Sequence, residues 1–234
     1  MTVVSRTHCE FDFSADPHQQ SKAIRFADYA DRKIPELFQA LGKDRGKEKI
    51  IFSFASITHP AVRTGEWTIQ IRPDVHPDDL GIVLHEGVHC CHSPGIDGNY
   101  SAMAYLYEAL ADCYRITLSD DGRGDSHGNQ FDRLPADFNP ADPYVCGAEF
   151  IGHLRRLSHS NDFIRTLSDH LRSGDVMATT AYVARICGGD LLSLMLGYKT
   201  NLRAQAYGRP PQDCTFKQLY EAPFLTLTSS SPLI

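Results

Sequence analysis

Residues 85 to 89 read His85-Glu86-Gly87-Val88-His89; Glu108 follows nineteen residues after His89, and Asp112 one helical turn later. Two histidines at i and i+4 stand one above the other on a single face of a helix. Their rings can therefore share one ion at Zn–N distances of roughly 2.0–2.1 Å. Glu86, next to the first histidine, puts a carboxylate where it can take a proton from the water that such an ion activates. Glu108 supplies an oxygen ligand, giving a His85, His89, Glu108 set with a fourth position left for water. Asp112 can accept the outward ring N–H of a ligand histidine and so fix its tautomer. The expected cofactor is Zn2+, and the expected chemistry is metal-assisted hydrolysis.

Blander readings stand beside this one. With eleven histidines in the chain, a pair at this spacing can arise by accident. There are only eight glutamates, so glutamate at both required positions is harder to obtain that way. Asp112 could be a solvated helix carboxylate, but Ala109, Leu110, Ala111 and Cys113 around it favour a buried, partnered group. His92 lies on the same face as His85, but an i to i+7 separation spans about 10.5 Å along the axis, too far for one ion to join all three. It reads instead as a histidine at a helix C-terminus, where positive charge is favoured. Cys90 and Cys91 read as ordinary buried thiols.

The elements that must position these residues are legible in outline. Asp78 and Asp79 open a helix, Leu80, Ile82, Val83, Leu84 and Val88 give it an apolar face, and Ser93-Pro94-Gly95 ends it. A second helix reads from Ser101, its N-cap, to Leu118, with Glu108 and Asp112 on one face. Upstream, residues 1–19 read as extended or loosely ordered, and a helix covers 20–42. Residues 49–56 form an apolar central strand, and 66–72 alternate, with Trp67, Ile69 and Ile71 opposite Thr68, Gln70 and Arg72. Residues 119–143 form a long loop rich in Asp, Gly and Pro. Its carboxylates lack the spacing of an EF-hand, and its Arg-Gly-Asp reads as solvated loop. Helices follow near 144–157, 161–172, 176–186 and 190–207, and the tail from 209 is irregular. The fold class expected is α+β: a small mixed sheet, the zinc-site helices beneath it and a helical C-terminal part. The catalytic domain spans 1–208, with 209–234 as tail.

Composition narrows the class. The 234 residues carry a formal charge of −6 and are 42% hydrophobic, enough for a substantial core. The negative charge without a basic run argues against nucleic acid, and no stretch reaches the roughly twenty apolar residues of a membrane span. The first residues lack the apolar run of a secretory signal. Seven cysteines with no CxxC pair then point to reduced thiols and a cytoplasmic location.

The motif and the helix "YEALAD" that follows resemble the gluzincin metallopeptidases, and most closely the plant basic secretory protein family with its bacterial and fungal relatives. The resemblance runs from Ile24 to Tyr207 and takes in "FADYADRKIPELFQAL", "KIIFSFA", "GEWTIQIRPD" and "DPYVCGAEFIGHLRRL". It implies that His85, His89 and Glu108 bind zinc, that Glu86 is the general base, and that Tyr144 stabilises the transition state. Tyr105, Tyr107, Tyr182, Tyr198, His127 and His153 are alternatives for that last role. It also implies that the 66–72 strand lies at the sheet edge, where its backbone pairs with an extended substrate. The chain differs from that family in its acidic balance, its N-terminus and the Cys91-His92 pair after the motif. The expected activity is peptide-bond hydrolysis. The alternatives are a zinc-dependent tailoring enzyme for a small molecule (a lyase, cyclase or amidase) and a non-catalytic protein that keeps its metal for stability.

Overall fold

A computed structural model describes residues 2–43, 48–92, 101–119, 143–191 and 193–194; the side chains of 101–104, 143–146 and 149 are outside that description. Residues 120–142 of the expected loop, the C-terminal tail and most of the helix expected over 190–207 therefore lie outside the described residues.

The molecule is α+β. Its mixed five-stranded sheet comprises β1 (Val3–Ser5), β2 (Cys9–Asp12), β3 (Ile50–Phe54), β4 (Ala61–Arg63) and β5 (Thr68–Ile71), in the order β1-β2-β3-β5-β4. β2, β3 and β5 run parallel, and the outer strands β1 and β4 are antiparallel to their neighbours. β3 is the central strand, as its apolar run predicts.

The extended N-terminal segment forms strands: Cys9, Phe11 and Phe13 are buried and Glu10 and Asp12 less so, an alternation that makes β2 an interior strand. One expectation is corrected. The 66–72 segment is not the sheet edge. β5 is paired on both sides, to β3 and to β4, so its backbone groups are used within the sheet and the outer strand is β4.

One face of the sheet carries the core. The register aligns Phe11 with Phe52 and Phe52 with Ile69, and all three are fully buried. Phe11 stacks on Phe52 at 5.9 Å and meets Phe26 of helix α1 (Gln20–Ala40) at 6.2 Å. α1 presents Ala23, Phe26, Ala27, Ala30, Ile34 and Leu37, the i, i+3, i+4 stripe of a helix lying on a sheet. Ile51 points the other way and is exposed.

Helix α2 (Ile82–Cys90) is buried along its whole length, between α1, α3 (Ser101–Leu118) and β4. Gly87 makes this possible, because a Cβ there would come within 2.9 Å of Leu37 Cδ2 and 3.0 Å of Ile34 Cδ1. The C-terminal part adds α4 (Pro143–Ser158), α5 (Phe163–Ser173) and α6 (Val176–Cys187). Gly147 of α4 lies so close to α3 that a Cβ would sit 2.7 Å from Ala109 Cα. α6 is capped at its start by Asp175, which accepts from the Ala178 N–H at 2.9 Å, and at its end by Gly188 at φ +77°. Among the described residues no helix is long and apolar enough to cross a membrane.

Candidate metal centre

α2 and α3 pack side by side and aim His85, His89 and Glu108 at one point. His85 Nε2 lies 3.1 Å from His89 Nε2 and 3.0 Å from Glu108 Oε2, and His89 Nε2 lies 3.4 Å from the same oxygen. An ion with tetrahedral bonds of roughly 2.0–2.1 Å has ligand–ligand edges of about 3.3–3.4 Å, so this triangle is close to the size that could hold one metal ion. Both histidines are buried, and the Glu108 side chain, with 24% exposure, is the most exposed of the three.

Protonation fits as well. His85 Nδ1 donates to Asp112 Oδ1 at 2.8 Å, which turns Nε2 toward His89 and Glu108. Burial pushes the His85 imidazolium down, but the charge and hydrogen bond of Asp112, with Glu108 behind them, outweigh it and raise its pKa to about 10. Burial acts against ionisation of Glu108 too, yet the hydrogen bonds from His85 and His89 hold its carboxyl well below the usual range. The cluster thus keeps an anionic oxygen and demands a positive charge beside it, which a proton or a divalent cation supplies.

Asp112 is only 2% exposed, so it is not a solvated helix carboxylate. Behind it stands Arg115, also buried, with Nη1 3.8 Å from Asp112 Oδ1 and Nη2 3.0 Å from Asp79 Oδ1. The Asp79–Arg115–Asp112–His85 chain goes beyond what the residue spacing discloses. Its sequence signal is slight: Arg115 sits three residues after Asp112, one helical turn on. Asp79, expected to open α2, has its carboxylate committed to Arg115, and the helix starts after Gly81.

His92 is the second correction in this region. It is 3% exposed, and burial, helped by His89 and Arg63, drives its pKa well below the ordinary value. It is a neutral imidazole, not a cation serving the helix end. Arg63 of β4 takes that part, donating through Nη1 to the carbonyls of His89 at 2.5 Å and His92 at 2.9 Å. An isolated arginine in a short strand gives no sequence cue for this contact. Cys90 and Cys91 are buried free thiols as expected, with burial pushing the Cys91 thiol up to about 12.

Glu86 is buried at 6% exposure, on the helix residue next to His85, and forms no hydrogen bond or ion pair among the described residues. Tyr144 falls in the first turn of α4, and its side chain lies outside the described residues, as do Tyr198 and His127. Of the alternative tyrosines, Tyr107 packs against His89, Tyr105 meets Phe150 edge-on, and Tyr182 stacks on His170 and Phe163 away from the cluster. His153 is buried on α4, and burial with Arg156 lowers its pKa to about 4. Compared with family models, with curated proteins and with solved structures, the chain matches none.

Proposed function

We propose that the protein is a zinc-dependent metallohydrolase, peptidase-like, that cleaves an amide bond. One observation carries this reading: two Nε2 atoms and one carboxylate oxygen stand 3.0, 3.1 and 3.4 Å apart, with a second buried carboxylate, Glu86, on the residue beside the first ligand. A structural metal site closes with four protein ligands, whereas a catalytic one has three and keeps a position open, and three stand together among the described residues. His85, His89 and Glu108 would hold the ion. When bound, zinc polarises the scissile carbonyl and makes water acidic enough, at a pKa of roughly 7, to lose a proton at neutral pH. Asp112 keeps His85 in the tautomer that presents Nε2. Glu86 accepts the proton of the attacking water and returns it to the leaving amine nitrogen. Tyr144, by its resemblance to the gluzincin pattern, is proposed to stabilise the oxyanion.

Peptide substrates are favoured by β4, an outer strand paired on one side only among the described residues and tied by Arg63 to the last turn of α2. An extended chain added along such an edge runs beside the zinc helix. The test is a substrate screen, over peptides and small amides, of wild type against Glu86→Gln. Hydrolysis by wild type, with turnover lowered by about 10²–10⁴-fold and zinc retained in the variant, is expected. Equal turnover in both would remove Glu86 as the base.

A further inference from the structure

The two ligand histidines are held by different physics. His85 is fixed by a hydrogen bond: its Nδ1 donates to a buried carboxylate 2.8 Å away. His89 has no such partner, and its Nδ1 is buried without a hydrogen bond among the described residues. A ligand histidine ordinarily donates its second ring N–H to a carboxylate, carbonyl or water, which sets both tautomer and ring rotation. What meets the His89 ring is the face of Tyr107, with centroids 4.2 Å apart and planes 13° from parallel. The His85 ring closes its edge at 4.8 Å and 81°. Tyr107 is itself 3% exposed and also meets the buried His92 ring at 4.7 Å, so the stack is enclosed.

We infer that Tyr107 is the positioning residue of His89, holding by ring stacking the rotation that a hydrogen bond holds in His85. This rests on the metal-site reading above. Tyr107 immediately precedes Glu108, so one turn of α3 would deliver both the oxygen ligand and the surface that orients the second nitrogen ligand. Rotation about the Cβ–ring bond of an imidazole is soft, because torsions at a planar ring have broad wells. A flat neighbour at van der Waals distance removes that freedom without a polar group. The geometry needs an aromatic face and not a hydroxyl.

The test compares Tyr107→Phe, Tyr107→Leu and Tyr107→Met with wild type in three measurements: zinc affinity by competition with a chelator, the visible absorption of the cobalt-substituted protein, and thermal unfolding of the metal-stripped protein. Tyr107→Phe is expected to match wild type in affinity and cobalt spectrum. Tyr107→Leu and Tyr107→Met, which fill the space without a planar face, are expected to lose about 10–100-fold in zinc affinity and to shift the cobalt bands. Stripped-protein unfolding identifies any variant that has lost its fold, and the Met variant, unbranched and adaptable, carries the comparison if the Leu variant does not fold. Wild-type affinity and spectrum in a folded Leu or Met variant would overturn the inference while leaving the metal site standing. An equal loss in the Phe variant would overturn it in favour of the hydroxyl. Failure of wild type to bind zinc would remove both readings.

Discussion

Asp112 faces two partners of opposite demand: the His85 N–H at 2.8 Å and the Arg115 guanidinium at 3.8 Å. The nearer contact fixes the orientation of the His85 ring, and the farther one is a second positively charged neighbour in a buried site. Asp112→Asn keeps an acceptor for the ring N–H and removes the charge. Zinc affinity measured by chelator competition is expected to fall about 10–100-fold, with Glu108 in place. Equal affinities would leave Asp112 without a part in the site. His92 leads to the opposite expectation. Its two ring nitrogens are buried and unbonded among the described residues, so the imidazole contributes as a ring only. His92→Phe retains the contact with Tyr107, and its denaturant midpoint should correspond to a change within about 1 kcal/mol of wild type. A larger loss would show that one of those nitrogens has a partner.

At the scale of elements, two pairs of helices approach closely around the site at glycines. Gly87 admits α1 against α2, and Gly147 admits α4 against α3 beside Glu108. Gly147→Ala would place its Cβ 2.7 Å from backbone, so the helices must separate. The expected cost is about 1–3 kcal/mol in stability, read from denaturant unfolding, with weaker zinc binding because Ala109 adjoins a ligand. An unchanged midpoint would mean that α4 can slide without disturbing α3. These close approaches explain which parts of the fold the sequence discloses. α3 has the bounds that its pattern predicts, Ser101–Leu118, and β3 occupies the centre because its run is apolar. The His85–His89 pair is legible because i, i+4 spacing is a local property of helices, and Glu108 because its helix is. β2 is harder to see, since only Cys9, Phe11 and Phe13 alternate in a short stretch. The edge position of β4, the Arg63 contact with the end of α2 and the Arg115 bridge depend on tertiary pairing that leaves no local spacing.

At the scale of the whole molecule, acid should act on the buried imidazoles before anything else. The folded pKa of His153 is lowered to about 4 and that of His92 lies well below its ordinary value. In the unfolded chain both titrate near pH 6.5. The unfolded state therefore binds more protons between these limits, and the stability that neutral burial contributes is present above about pH 6.5 and lost as the pH falls toward 4. His85, raised to about 10, works in the other direction and another window: in metal-stripped protein its contribution is present below about pH 6.5 and lost as the pH rises through 10. Denaturant midpoints of stripped protein should fall from pH 6.5 toward 4, with a shallower fall in His153→Leu. A flat profile in wild type would contradict the burial of neutral histidines. Titrating stripped protein with zinc against a chelating indicator decides whether α2 and α3 together hold one metal ion. Saturation is expected at about one zinc per chain, abolished or weakened by orders of magnitude in Glu108→Ala. A folded wild-type chain that takes up no zinc, or one that binds it equally well without Glu108, would contradict it.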